Sequence, residues 1–159
     1  MGDFGTVAFG INPVCGIENP IAPPIKSWLT DSEVHGRATM GWRYEGPPMA
    51  VHGGWIAALF DDFLGMGQRL TDRPGFTGRL TVNYHKPTPL NTELNFRGWV
   101  EKSEGRKNTL KGELMANGEI TATCEGLFIA PKADSVTEHM KNLGVETPEQ
   151  GLEHPVHSK

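Results

Sequence analysis

Residues 51–68, VHGGWIAALFDDFLGMGQ, decide how this chain folds. A glycine pair opens an apolar run of helical length whose only charges are Asp61 and Asp62. At about 100° per residue, Ile56, Leu59, Phe60 and Phe63 share one side, Ala57 and Leu64 flank it, and Trp55 and Met66 continue round. A helix apolar over so much of its circumference has to be wrapped by the rest of the domain. The two aspartates diverge by about 100°, so at most one can share a face with the packed core, and each needs a polar or solvated neighbour.

The flanking sequence supplies the wrapping. In residues 34–44, Ala38, Met40, Trp42 and Tyr44 alternate with Thr39, Gly41 and Arg43, the period-two pattern of a half-buried strand, and Glu45-Gly46-Pro47-Pro48 ends it. After the helix, Gly78, Leu80, Val82 and Tyr84 alternate with polar residues. A third strand sets Leu94, Phe96, Gly98 and Val100 on one face, and a fourth does so with Leu110, Gly112, Leu114 and Ala116. Asn117-Gly118 then marks a two-residue hairpin, because both residues tolerate positive φ. The fifth strand presents Ile120, Ala122, Cys124, Gly126 and Phe128 inward, which makes Cys124 a small core residue. The pattern describes an α+β domain, an antiparallel sheet wrapped around one long central helix.

The remainder reads as accessory. Pro13, Pro20, Pro23 and Pro24 argue for an extended arm over residues 1–33, ahead of a domain over 34–132. Residues 133–159 form a polar tail with one weakly helical piece near 135–143. The 159 residues suffice for one domain with a real core. A formal charge of −4 with scattered basic residues argues against nucleic-acid binding. Two widely separated cysteines are no disulfide framework, and neither a secretory leader nor a spanning segment is evident, so a soluble cytoplasmic protein is expected. There is no Gly-x-Ser-x-Gly elbow, dinucleotide or phosphate loop, and no zinc spacing among the six histidines.

The order of signals resembles a known family. Asn19-Pro20, Gly46-Pro47-Pro48, Val51-His52-Gly53-Gly54, an aspartate nine positions after His52, Gly78-Arg79-Leu80-Thr81-Val82, Tyr84-His85-Lys86-Pro87, residues 101–106 and Gly126-Leu127-Phe128 follow in turn. Over roughly residues 12–132 the chain is similar to the hotdog-fold acyl-CoA thioesterases of the phenylacetate-degradation type, the 4-hydroxybenzoyl-CoA thioesterase superfamily. The resemblance implies hydrolysis of an acyl-CoA to free acid and CoA by a homodimer or a tetramer of dimers, with two sites at the subunit interface. No cofactor is implied, since CoA arrives as part of the substrate. Gly53 matches the family's amide donor, Asp61 its catalytic carboxylate, and Thr77 a hydroxyl that orients water. His52 matches the histidine that holds the loop and lines the site. One departure is that the polar Asn or Gln several relatives carry before the glycine pair has no equivalent among Glu45, Gly46 and Pro47.

The chemistry suits these residue types. Thioester cleavage builds charge on the carbonyl oxygen, and the first amides of a helix offer unpaired donors at the positive end of its dipole. Glycines at 53 and 54 let a carbonyl approach, although glycines at helix starts also serve merely to permit a turn. An aspartate in an apolar helix can act as general base or attack directly, and the sequence leaves both open. Trp55, Phe63 and the small Gly65 and Gly67 are candidates for flanking the acyl group, Gly54 for contact with the substrate, and Arg79, His85 and Lys86 for CoA, each with core packing or plain solvation as the ordinary alternative. The rival reading is a non-catalytic acyl-ligand-binding protein that keeps the fold without turnover.

Overall fold

A computed structural model describes residues 10–132, so the polar tail and residues 1–9 lie outside the described residues. Six strands form one antiparallel sheet: β1 (Lys26–Leu29), β2 (Glu33–Thr39), β3 (Phe76–Tyr84), β4 (Glu93–Glu104), β5 (Lys107–Ala116) and β6 (Glu119–Ile129), in the order β1-β2-β4-β5-β6-β3. The helix α1 spans Gly53–Gly67 and packs against β2 to β6. Its Ile56, Leu59, Phe60, Phe63 and Leu64 are all buried in the cluster filled from the sheet by Val34, Leu94, Phe96, Leu110, Leu114 and Phe128. At about 1.5–3 kcal/mol for each large side chain removed from water, this contact is the main source of stability.

Close approach of helix to sheet depends on two glycines paired across its centre, Gly98 on β4 and Gly112 on β5. A Cβ on Gly98 would stand 3.0 Å from Leu64 and Phe63, and one on Gly112 would stand 3.1 Å from Phe60. Any larger side chain at either position would lift α1 away from the sheet.

The hairpin turn at Asn117 and Gly118 has the expected positive φ, 52° and 79°. Elsewhere three expectations need correction. The alternation through Trp42 and Tyr44 is not strand: β2 ends at Thr39 and residues Trp42–Tyr44 form a 3-10 turn, with Tyr44 buried and Trp42 57% exposed. Aromatic residues two apart fit one turn of either structure, and the Tyr44 hydroxyl is drawn inward to the carbonyls of Ile21 and Ala22. Ile120 does not face inward: the β5–β6 register slips between Leu114 and Met115, so Thr121 is buried and Ile120 is exposed. Lastly, β1 lies within the stretch expected to be an extended arm, where it pairs with β2 as the sheet's first strand.

Candidate active site

His52 begins the site. It is the N-cap of α1, with extended backbone, and its Nδ1 accepts a hydrogen bond from the Gly54 amide at 2.9 Å. A histidine thus does what serine or aspartate usually does at this position. Gly46 makes room for it, because a Cβ there would lie 2.7 Å from the His52 Cα. The Glu45 carboxylate is turned to its own loop, accepting from the Met49 amide at 2.8 Å, where Met49 has a φ of 67°. With Gly54 capped, the Gly53 amide meets no acceptor among the described residues. The Gly53 carbonyl accepts the Tyr84 hydroxyl at 2.7 Å, which ties the helix start to the far end of β3.

The other half of the site sits two turns along. The Thr77 hydroxyl, on β3, donates to Asp61 Oδ1 at 2.8 Å. Thr77 is held there by an anchored turn. Gln68, 4% exposed, accepts from the Gly75 amide at 2.7 Å and donates to its carbonyl at 3.0 Å, while Asn108, 1% exposed, donates to the Thr71 hydroxyl and the Arg73 carbonyl. Neither Gln68 nor Asn108 was singled out by sequence pattern. A polar residue at the apolar end of a helix, and another on an inward strand position, were the available signals.

Asp61 and Asp62 open on the same cleft, of about 640 Å³. The helix contributes the stripe 61, 62, 65 and 66, which the sheet leaves uncovered, and the two edges of the curled sheet flank it through Ser27 on β1 and Phe76 and Thr77 on β3. So neither aspartate faces the packed core. Burial pushes the Asp62 carboxyl above its ordinary value, opposed by a hydrogen bond from the Cys15 thiol at 3.5 Å and reinforced by the neighbouring Asp61 charge. Cys124 lies behind, its thiol pushed up to about 12 by burial and then by Asp61.

The remaining candidates are dispersed. Phe63 is 1% exposed and packs on Phe96 in the core, closed off from the cleft. Trp55 meets Tyr44 edge-on. Arg79 pairs with Glu125 at 3.6 Å and Lys86 with Glu119 at 2.7 Å, while His85 meets the Thr123 hydroxyl at 2.9 Å; all three are exposed. The cleft residues Cys15, Met66, Phe76 and Phe128 were missed because their patterns say only core or loop.

Gly53 and Asp61 are separated by eight helical residues, about 12 Å of rise. One chain therefore cannot bring both to a single carbonyl.

Comparison with known proteins bears on the fold and the family. Residues 50–123 match the thioesterase superfamily model. Acyl-coenzyme A thioesterase THEM4 of Xenopus laevis is 43% identical over 63 residues, 40% of this chain and 28% of that protein, so the match takes in less than a third of the relative's length. A solved thioesterase superfamily protein, 39% identical, superposes with a TM-score of 0.70 over 74% of this chain and 62% of its own. A Streptococcus mutans protein solved bound to acetyl CoA shares the fold at 16% identity, with a TM-score of 0.63 over 67% of this chain and 88% of its own. No helix among the described residues is long and apolar enough to cross a membrane. The antiparallel sheet curled around α1 is the hotdog fold of these solved proteins, and the segment that is similar to the superfamily model runs from the helix start to β6.

Proposed function

We propose that the chain hydrolyses an acyl-CoA thioester at a site shared by two copies. The observation that carries this reading is the Thr77–Asp61 hydrogen bond at the mouth of an apolar-walled cleft. Thr77 fixes one carboxylate oxygen and leaves the other to accept from water, while its own oxygen can still accept a second hydrogen bond from that water. Asp61 takes the water proton as the oxygen attacks the thioester carbon. The tetrahedral oxyanion is stabilised by the Gly53 amide of the other copy, at the positive end of α1. Collapse breaks the C–S bond, the acid departs, and the thiolate of CoA takes up a proton. No group beyond the chain and its substrate is required.

The second copy has a natural seat. β3 is a sheet edge nine residues long, and Phe76 and Tyr84 on it are 73% and 53% exposed. Long bare edges of this kind are normally paired or covered, and pairing β3 with its symmetry mate gives a closed, isologous dimer. Arg79, His85 and Lys86, exposed on β3 and just after it, are then available to the phosphates of CoA. Neither cysteine forms a disulfide among the described residues, which suits a reducing compartment such as the cytoplasm.

Release of free thiol from a panel of short, aromatic and long acyl-CoAs tests the assignment. Wild type should turn over at least one class, and Asp61→Asn should lower its kcat by about 100-fold or more. A fully active Asp61→Asn variant would remove Asp61 from the chemistry, and binding without turnover by wild type would make the protein a carrier.

A further inference from the structure

α1 carries two glycines near its end, and only one has a packing reason among the described residues. A Cβ on Gly67 would meet Leu110 and Val34 at 2.9 Å, so packing demands glycine there. A Cβ on Gly65 would meet no atom of the described residues within 4 Å. Yet Gly65 lies within the helix, where glycine is the weakest former short of proline. Its absence of a side chain therefore serves something that the described residues do not themselves provide.

Position supplies the answer. Gly65 lies four residues after Asp61, hence one turn along on the same face, about 6 Å further. Both line the cleft, where Met66 on the helix and Phe76 and Phe128 on the sheet offer apolar wall beside Gly65, and Gln68 and Arg69 line it past the helix end. A thioester held at Asp61 directs its acyl group either out of the cleft or along this face. Only the second course removes the chain from water.

Resting on the thioesterase reading, we propose that Gly65 is the residue that sets acyl-chain length: its missing side chain is the floor over which the acyl tail passes. The substrates are then acyl-CoAs whose chains extend more than about 6 Å beyond the carbonyl, past one turn of α1. A short acyl group ends before Gly65 and is indifferent to what stands there.

S-alkyl-CoA thioethers, which bind but cannot be hydrolysed, separate this inference from the catalytic one. Calorimetry compares S-ethyl- and S-dodecyl-CoA on wild type and Gly65→Leu, with sedimentation to record the assembly state of each. Wild type should prefer the dodecyl ligand, and Gly65→Leu should cut the dodecyl-to-ethyl affinity ratio at least 10-fold with the assembly unchanged. Gly65→Ala, a milder intrusion, should raise the melting temperature by roughly 2–4 °C and lower the ratio less. An unchanged ratio in Gly65→Leu overturns the proposal. So does a Gly65→Leu protein that falls apart into single chains, which would assign the space to the partner subunit. Should thioethers behave as expected while no acyl-CoA is hydrolysed, the catalytic reading fails and the acyl channel stands.

Discussion

At the scale of single residues, the site depends on groups that hold others in place. Tyr84 touches the Gly53 carbonyl, not the reacting atoms, and so acts as a positioning residue for the amide on the same glycine. Tyr84→Phe should leave the fold intact and lower kcat by about 10-fold, equal to about 1.4 kcal/mol of lost transition-state stabilisation, with KM little changed. Steady-state kinetics beside a melting curve separates this from a merely structural loss. Asp62 makes a pH-dependent contribution. Its carboxyl is raised by burial, so the folded state binds this proton more tightly than the unfolded chain does. That stability is fully present below the ordinary carboxylate value of 3.8 and is lost as pH rises through the higher folded value. Asp62→Asn, which cannot ionise, should therefore gain stability relative to wild type between acid and neutral pH. Denaturant titrations of both proteins across that range would show it, and a gap that does not change with pH would contradict it. The family resemblance pointed to Asp61, read through its spacing from His52. It could not show that Asp62 opens on the same cleft, since the wheel separates the two side chains but says nothing of where the sheet ends.

At the scale of elements, the helix and the strands were legible because each is apolar on the face it buries. Periodicity found α1 to within two residues at its start and one at its end, and it found β3 to β6. It failed where tertiary contacts override the local pattern. Trp42 and Tyr44 fit an alternating strand, yet the Tyr44 hydroxyl reaches the backbone of the preceding segment and bends the chain into a turn. The register slip that exposes Ile120 sits in the pairing of two strands and is invisible in either alone. The glycines marked as inward strand positions turn out to set the spacing of the layers. Gly98→Val would press on Leu64 and Phe63 and should cost about 1–3 kcal/mol, a fall of several degrees in melting temperature. The same substitution at exposed Gly118 would meet no neighbour, so its penalty there comes from the positive φ of 79°. Native thiol titration gives a further check. Cys124, 4% exposed and pushed up to about 12, should react only after denaturation.

At the scale of the whole molecule, about 12 Å of helix separates the helix start from Asp61. On the proposed reading each chain holds both halves of the chemistry, one at the start and one at the middle of the same helix, so the site would be complete only when α1 of one copy is brought to α1 of another. The chain should therefore sediment as a dimer or a multiple of it. Gly53→Pro removes the amide donor while keeping a residue well suited to the first helical position, and His52 before it already has the extended backbone that proline requires. The decisive measurement mixes this variant with Asp61→Asn, dissociates and reassociates the two, and follows thiol release. Each variant alone should be nearly inactive. Random pairing makes half of the dimers mixed, and one of the two sites in each mixed dimer is intact, so the mixture should recover about a quarter of wild-type activity. A mixture no more active than its components, under conditions where subunits demonstrably exchange, would contradict a site shared between two copies.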